Sequence, residues 1–179
     1  MAEYQILIAG FGGQGLLFSG KVLAYAGLLE GRQLSWLPSY GPEMRGGTAN
    51  CSVILSEESV GSPIVNNPNV LMVMNAPSLD KMEDTVQPGG MIFVDSSLIT
   101  RPVRRTDVKT YYIPATQMAK DMNAPGLANM IMLGLLVRET GCISPEALDA
   151  GLQKVIPARK AAMLDTNRAA IQAGWDFQC

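Results

Sequence analysis

A glycine-rich turn constrains the fold of this chain more than any other stretch of its sequence. Residues 6–9 form a short apolar run, residues 10–15 read Gly-Phe-Gly-Gly-Gln-Gly, and residues 16–29 form a long apolar segment without proline. This order is typical of a buried strand that enters a tight turn and then a helix. The sequence therefore predicts a strand–turn–helix unit, the usual building block of a layered α/β fold.

Five residues of this turn are candidates for ligand binding. We expect Gly10 to turn the chain sharply, and Gly15 to let the helix pack closely on its strand. Gly12 and Gly13 would let the backbone approach a ligand or a neighbouring chain. The start of the predicted helix presents unpaired N–H groups and a partial positive charge, which suit an anion. The predicted binding residues are Gly10, Gly12, Gly13, Gln14 and Gly15.

The glycines also have the spacing Gly-x-Gly-x-x-Gly of dinucleotide-binding turns, but the acidic residue that accompanies such turns is missing. In those sites a carboxylate at the end of the second strand binds the ribose hydroxyls. Residues 33–40, which include the predicted second strand, contain no Asp or Glu, and Glu30 lies one turn too early. The sequence therefore favours a turn required for close packing over a nicotinamide dinucleotide site.

The chain is poor in charge and rich in apolar residues. Of its 179 residues, 17% are charged, 47% are hydrophobic and 11 are methionine, whereas about 25% of residues are charged in an average soluble domain. The net charge is -2 and both signs are interspersed, which argues against a nucleic-acid surface. Because subunit interfaces are depleted in charge and enriched in Met, this composition predicts either a large interface or an unusually buried core.

The sequence excludes several kinds of catalytic centre. It contains no histidine, which removes the commonest general base, the commonest metal ligand and every Ser-His or Cys-His pair. Cys51, Cys142 and Cys179 are too widely separated for a zinc or iron–sulfur motif, so we expect free and mostly buried thiols. We assign no catalytic residue and no metal ligand to this chain.

Length and hydropathy predict one cytoplasmic domain. A chain of 179 residues can bury an extended sheet with helices around it, and we take residues 1–179 as a single domain. No basic region precedes an apolar one at the N-terminus, so no signal peptide is evident. The longest apolar run, residues 127–137, is shorter than the ~20 residues that a membrane-spanning helix needs. We therefore expect a soluble protein without membrane contact.

Residues 38–47, Pro-Ser-Tyr-Gly-Pro-Glu-Met-Arg-Gly-Gly, form the second informative stretch. The prolines fix parts of the backbone and the glycines free other parts, which suits a shaped loop. Simple connections have about 4–6 residues, so this longer loop favours contact with a ligand or a partner over a plain surface turn. Its predicted binding residues are Tyr40, Glu43, Arg45 and Gly46.

The rest of the chain predicts alternating strands and helices. Further strands are expected at residues 33–37, 48–56, 70–74, 91–95 and 110–114, and further helices at 78–86, 115–122, 127–139, 145–155 and 160–173. This alternation implies a doubly wound, mostly parallel sheet with helices on both faces, a single three-layer α/β domain of Rossmann-like type. Asn75, which follows a buried strand, is equally a candidate ligand contact and a candidate helix cap.

Three motifs in order resemble one protein family. They are the glycine turn at residues 10–15, the loop at 39–47, and Ala-Asn-Met-Ile-Met-Leu-Gly at 128–134. Together they resemble the gamma subunit, or gamma domain, of 2-oxoacid:ferredoxin oxidoreductases over nearly the whole chain. The loop form Ser-Tyr-Gly-Pro-Glu-x-Arg-Gly-Gly looks most like the enzymes for 2-oxoglutarate or other ketoacids. Pyruvate enzymes tend to have an arginine where this chain has Phe11.

The resemblance implies a subunit that is inactive alone. Such complexes oxidise a 2-oxoacid with coenzyme A to acyl-CoA and carbon dioxide, and they pass two electrons to ferredoxin. The resemblance implies thiamine diphosphate between the alpha and beta subunits, and iron–sulfur clusters in the beta and delta chains or their equivalents. The glycine turn and the loop would contribute to a cofactor or coenzyme A channel. Arg45 would bind a phosphate or carboxylate, and Glu43 would pair with it or with another chain.

Two other functions stay open from the residues alone. One is a freestanding nucleotide-binding domain of Rossmann-like type, and the other is a purely structural interaction module. Tight binding of NAD(P) or FAD by the isolated chain would favour the first. A chain that binds nothing and self-associates until it meets alpha and beta partners would favour the oxidoreductase subunit.

Overall fold

A six-stranded sheet forms the centre of the structure, a computed structural model that describes residues 3–39 and 48–179. The strands are β1 (Tyr4–Phe11), β2 (Gln33–Ser39), β3 (Thr48–Ser56), β4 (Val70–Val73), β5 (Met91–Asp95) and β6 (Lys109–Ile113). Their order in the sheet is β2-β3-β1-β4-β5-β6. The strands β1, β4, β5 and β6 pair in parallel, which confirms the predicted mostly parallel sheet.

The exception is β3, which runs antiparallel to both of its neighbours, β1 and β2. Its direction follows from the connection before it. A parallel pair needs a crossover of a dozen or more residues, whereas an antiparallel pair needs only a short loop. Residues 40–47 alone join β2 to β3, so the two strands are antiparallel neighbours and the winding is interrupted on this side of the sheet.

Helices cover both faces of the sheet, as predicted, but they do so unequally. One face carries most of the helices: α1 (Leu16–Leu29), α3 (Ala115–Asp121), α4 (Ala128–Thr140), α5 (Pro145–Val155) and α6 (Ala161–Asp176). The other face carries α2 (Ala76–Met82), a short 3-10 turn at Glu83–Thr85 and part of the connection between β5 and β6. None of the helices in residues 3–39 and 48–179 has the length and apolar character that crossing a bilayer requires.

Residues of β1 show why the sheet needs both layers. Ile6 and Ile8 are buried under α1 and α4 on one face, while Leu7 and Ala9 are buried towards α2 on the other. Side chains alternate between the faces of a strand, so an unbroken apolar run is expected only in a strand that is covered on both sides.

Helix α4 is the most deeply buried helix of the domain. Every residue from 128 to 137 is buried, and α3, α6, α1 and β5 contact it. A helix that is apolar on all sides must be covered on most of them, and the cover of α4 comes from this chain. Two glycines allow close contact with α6, because a Cβ atom at Gly134 would collide with the backbone of Ile171, and one at Gly174 with the backbone of Ile131.

Ion pairs anchor the basic connection between β5 and β6. Arg101 donates to the carboxylates of Asp80 at 2.6 Å and Glu83 at 2.7 Å, and the side chain of Glu83 is 1% exposed. Arg105 donates to both carboxylate oxygens of Asp107, at 2.6 and 2.8 Å. The charges of Arg101 and Arg105 are therefore paired with carboxylates of the same chain.

We expect Gly134→Ala to lower the free energy of unfolding by about 1–3 kcal/mol, because the added methyl group pushes α6 away from α4. Urea unfolding of the purified chain measures this change. The matched control is Gly61→Ala, since a Cβ atom at Gly61 meets no atom within 4 Å. Equal stability of the two variants would contradict the close contact between α4 and α6.

Candidate functional site

The glycine turn lies at the carboxyl ends of the parallel strands, where the winding of the sheet changes direction. From β1 the chain passes through α1 to β2 on one side, and from β4 it passes through α2 to β5 on the other side. Open α/β sheets bind their ligands at such a switch point, outside the carboxyl ends of the strands. The candidate site is therefore the region between the ends of β1 and β4.

Two hollows open on either side of the turn, and Gly13 borders both. A crevice of about 170 Å³ is lined by Gly13, Gln14, Met74, Leu98, Thr116, Pro125, Gly126 and Ala128. A second hollow of about 290 Å³ is lined by Phe11, Gly12, Gly13, Gly15, Leu16, Leu17, Phe18 and Ala49. The structure thus brings together Gly12, Gly13, Gln14 and Gly15 of the predicted set.

Gly10 does not turn the chain, contrary to expectation. It is part of β1, and the residues of the turn with left-handed backbone are Gly13, with φ of +92°, and Gly15, with φ of +74°. A Cβ atom at Gly10 would collide with Oε1 of Gln14. Glycine at position 10 leaves room for the side chain of Gln14, and the sharp change of direction falls at Gly13.

Gln14 ties the turn to the neighbouring strand. Its Oε1 atom accepts a hydrogen bond from the backbone N–H of Phe11 at 2.6 Å. Its Nε2 atom donates to the carbonyl oxygen of Met74, which follows β4, at 3.0 Å. Both polar atoms of the Gln14 amide are therefore hydrogen-bonded within the chain, and this side chain fixes the turn. The binding role of Gln14 stays a prediction.

Asn129 fixes the other end of the turn. Its Nδ2 atom donates to the carbonyl oxygen of Gly15 at 3.0 Å, and the side chain of Asn129 is buried. A Cβ atom at Gly15 would collide with this amide. Gly15 was expected to allow contact between α1 and its own strand, but it allows contact with α4. Asn129 belonged to the third motif of the resemblance, and no role was predicted for it.

Asn75 caps helix α2. Its Oδ1 atom accepts a hydrogen bond from the backbone N–H of Ser78 at 2.8 Å, and its side chain is buried. The cap is one of the two roles that the sequence left open. Contact of Asn75 with a ligand stays a prediction.

Asp95 and Thr116 form a polar pair at the crevice that the sequence did not identify. Asp95, the last residue of β5, is fully buried, and its carboxylate accepts hydrogen bonds from Oγ1 of Thr116 at 2.6 Å and from the backbone N–H of Ser97 at 3.1 Å. Thr116 lines the crevice. The signal for Asp95 was its place at the end of a buried strand, but nothing in the sequence indicated Thr116.

Tyr40, Glu43, Arg45 and Gly46 lie outside the described residues. The strands that flank them show where the loop leaves the sheet. Thr48 pairs with Phe11 in the register of β3 and β1, and β2 ends at Ser39 next to Asn50. The chain therefore enters β3 directly beside the glycine turn.

The cysteines do not fit an iron–sulfur cluster, which needs four ligands in most proteins. The chain has three cysteines, of which Cys51 and Cys142 are buried and Cys179 is exposed. Burial raises the pKa of the Cys51 thiol to about 12 and that of Cys142 to about 11. Within residues 3–39 and 48–179, no group of three or more His, Cys, Asp or Glu side chains could hold a metal ion.

Comparison with known proteins identifies the family. The profile of the pyruvate ferredoxin/flavodoxin oxidoreductase family matches residues 5–177, and this chain belongs to that family. Ketoisovalerate oxidoreductase subunit VorA of Methanothermobacter thermautotrophicus is 41% identical over 177 residues, which are 98% of this chain. The match spans only 36% of the length of VorA.

Two solved structures have the same fold. The gamma subunit of the keto/oxoacid ferredoxin oxidoreductase from Geobacter sulfurreducens is 31% identical, with a TM-score of 0.83 over 97% of this chain and 96% of that chain. The 2-oxoglutarate:ferredoxin oxidoreductase from Magnetococcus marinus, solved with 2-oxoglutarate, coenzyme A and succinyl-CoA, is 26% identical. Its TM-score is 0.88 over 97% of this chain and 30% of that chain. The predicted fold class and the resemblance to gamma subunits are confirmed.

We expect Gly10→Ala to lower the free energy of unfolding by about 1–3 kcal/mol in the native chain, because the methyl group collides with Gln14. In a chain that carries Gln14→Ala, the same substitution should cost about 1 kcal/mol less. Urea unfolding of the four chains of this double-mutant cycle gives the coupling. Equal costs in both backgrounds would show that the Gln14 side chain does not lie over Gly10.

We expect one thiol of the native chain to react with a thiol reagent at pH 8, and three to react in urea. The thiolate is the reactive form, so pKa values of about 11 and 12 leave about 0.1% or less of Cys142 and Cys51 reactive at this pH. The folded Cys179→Ser variant should therefore show no fast reaction with the thiol reagent. A second fast thiol in the native chain would contradict the burial of these two side chains.

Proposed function

We propose that this chain is the gamma subunit of a 2-oxoacid:ferredoxin oxidoreductase and is inactive without its partners. The assembled complex would convert a 2-oxoacid and coenzyme A to acyl-CoA and carbon dioxide, and would pass two electrons to ferredoxin. One observation carries the proposal most directly: a rigid glycine turn at the switch point of the sheet borders two hollows. The extent of the domain, residues 1–179, and its cytoplasmic location belong to the same proposal.

The proposal assigns binding rather than reaction chemistry to the turn. The first helical residues of α1, Leu16, Leu17 and Phe18, have backbone N–H groups without acceptors in the helix, because an α-helix leaves its first donors free. These groups and the helix dipole suit a phosphate of coenzyme A. The coenzyme A that is bound in the Magnetococcus relative supports this choice of ligand.

The reaction chemistry would come from other chains. We propose alpha and beta subunits as partners, with a delta subunit or its equivalent, and ferredoxin as the acceptor. Thiamine diphosphate would supply the chemistry that removes carbon dioxide, and iron–sulfur clusters in partner chains would carry the electrons. The three separated thiols of this chain and its lack of histidine are consistent with this division.

The proposed substrate is 2-oxoglutarate, and ketoisovalerate is the second candidate. The form of the loop at residues 39–47 and the Magnetococcus relative support the first, while the name of VorA supports the second. The ratio of kcat/KM values for the two acids in the purified complex decides between them. A higher value for ketoisovalerate would reject the first choice and leave the subunit role intact.

The test of the subunit role is affinity purification of the tagged chain from its native source. We expect the recovered complex to contain thiamine diphosphate and iron, and to reduce ferredoxin with a 2-oxoacid and coenzyme A. The isolated chain should show no turnover. Turnover by the isolated chain, or tight binding of a dinucleotide without partners, would instead favour a freestanding enzyme or a nucleotide-binding domain.

We expect Arg45→Ala in the purified complex to raise KM for coenzyme A by about 10-fold or more, since a hydrogen bond to a charged group contributes about 1.5–3 kcal/mol. The subunit composition should not change. The matched control is Arg159→Ala, because Arg159 is an exposed arginine on the short helical turn before α6. Equal KM values for coenzyme A in the two variants would show that Arg45 does not bind this ligand.

A further inference from the structure

The outer face of helix α1 is apolar. Lys21 is the one charged residue among its 14 residues, and Tyr25, Leu28 and Leu29 are 37%, 60% and 47% exposed. Positions 18, 21, 25 and 28 lie on the same side of a helix because they are three or four residues apart. A surface helix normally presents polar side chains on the face away from the core. This face of α1 therefore has the apolar character of a contact surface, and no part of the described domain covers it.

The apolar face continues into the candidate site. Leu17 and Phe18 line the larger hollow beside the glycine turn, and Phe11 at its edge is 39% exposed. A helix of 14 residues is about 21 Å long, so the continuous surface extends from the turn to the opposite end of the sheet. We call it the α1 surface and define it by Phe11, Leu17, Phe18, Tyr25, Leu28 and Leu29.

The area of the α1 surface argues against a second copy of this chain as its occupant. Side chains of this size have roughly 150–250 Å² each, so the exposed parts along α1 present roughly 300–400 Å². A stable dimer interface buries about 600–1,000 Å² on each partner. The surface alone is too small for a stable homodimer.

The lengths of the relatives indicate a different occupant. The matched region is 36% of VorA and 30% of the Magnetococcus chain, so about two thirds of each relative is additional polypeptide joined to this unit. A chain of that size can cover the α1 surface, the hollow and the glycine turn together, which reaches the area of a stable interface. In the structure of this unit, the apolar face of α1 is exposed.

We propose that the α1 surface is the docking site for the partner polypeptide that corresponds to the additional region of VorA. The matching surface of this partner is apolar, with a carboxylate opposite Lys21. When the partner docks, it also covers the hollow beside the glycine turn, so assembly completes the ligand site. This inference rests on the proposed function, because it names the surface through which the proposed partner binds.

The experiment compares tagged variants that are purified from the native source with their partners. Tyr25→Lys and Leu28→Lys place a charge on the α1 surface, and Met163→Lys is the matched control because Met163 is 46% exposed on α6. We expect each α1 variant to retain at least tenfold less partner per tagged chain than the native sequence or the control. Melting temperatures of the isolated variants within about 4 °C of the native chain show that the fold is intact.

A second measurement follows the accessibility of Lys21 without any substitution. Acetylation of lysines in the complex and in the isolated chain, read by mass spectrometry, should show Lys21 protected at least tenfold by assembly. Exposed Lys154 and Lys160 serve as internal controls and should react equally in both.

The outcomes separate this inference from the proposed function. Mass spectrometry must identify the recovered partner as a relative of the additional region of VorA. Full retention of that partner by Leu28→Lys, or an unprotected Lys21, would show that the α1 surface is not the docking site. Either result would leave the proposed subunit role intact. Recovery of the native chain only as a homodimer, which Leu28→Lys converts to a monomer, would assign the surface to a second copy. Recovery of no such partner by the native chain would reject the proposed function itself.

Discussion

The hydrogen bond from Asn129 to the carbonyl oxygen of Gly15 joins two parts of the chain that are 114 residues apart. Gly15 begins α1, which contacts β2 and β3, and Asn129 lies in the first turn of α4, the most buried helix. An amide buried without a hydrogen bond would cost free energy, so the contact fixes both helix starts relative to each other. The left-handed backbone of Gly15 and the lack of space for a Cβ atom restrict this position to glycine. The position of the turn therefore depends on the core of the domain.

The sequence predicted the elements well because their signals are local. The apolar runs of β1, β4 and β5 and the proline-free segment of α1 have the lengths of buried strands and a helix, and the structure places them within a few residues of the expected bounds. The direction of β3 was not predicted, because the loop at residues 40–47 was interpreted by its chemistry and not as a short connection between antiparallel strands. The roles of Gly10 and Asn129 depend on side chains that meet only in the folded chain, so no local pattern indicates them.

The composition left two explanations for the low charge, a buried core or a large interface, and the buried core accounts for two apolar helices to different degrees. The apolar sequence of α4 is explained within the chain, since α3, α6 and the sheet cover it. The apolar sequence of α1 is only half explained, because its inner face contacts β2, β3 and α5 while Leu28 and Leu29 stay exposed. Both helices are rich in apolar residues, and the folded structure shows which of them is covered on all sides and which has an exposed apolar face. Sequence could count the excess of apolar residues, but it could not say which helix carries it.

The polar groups around the glycine turn and the crevice are hydrogen-bonded within the domain. Gln14 and Asn129 use their amides to hold the glycine turn, and Asp95 uses its carboxylate to hold Thr116 and the backbone after β5. Side chains that are fixed in this way position backbone N–H groups and the walls of a crevice with little freedom to move. A general acid or base must instead reach the reacting atoms and exchange a proton with them. The geometry thus fixes the walls of the crevice, and under the proposed function the reacting groups belong to partner chains.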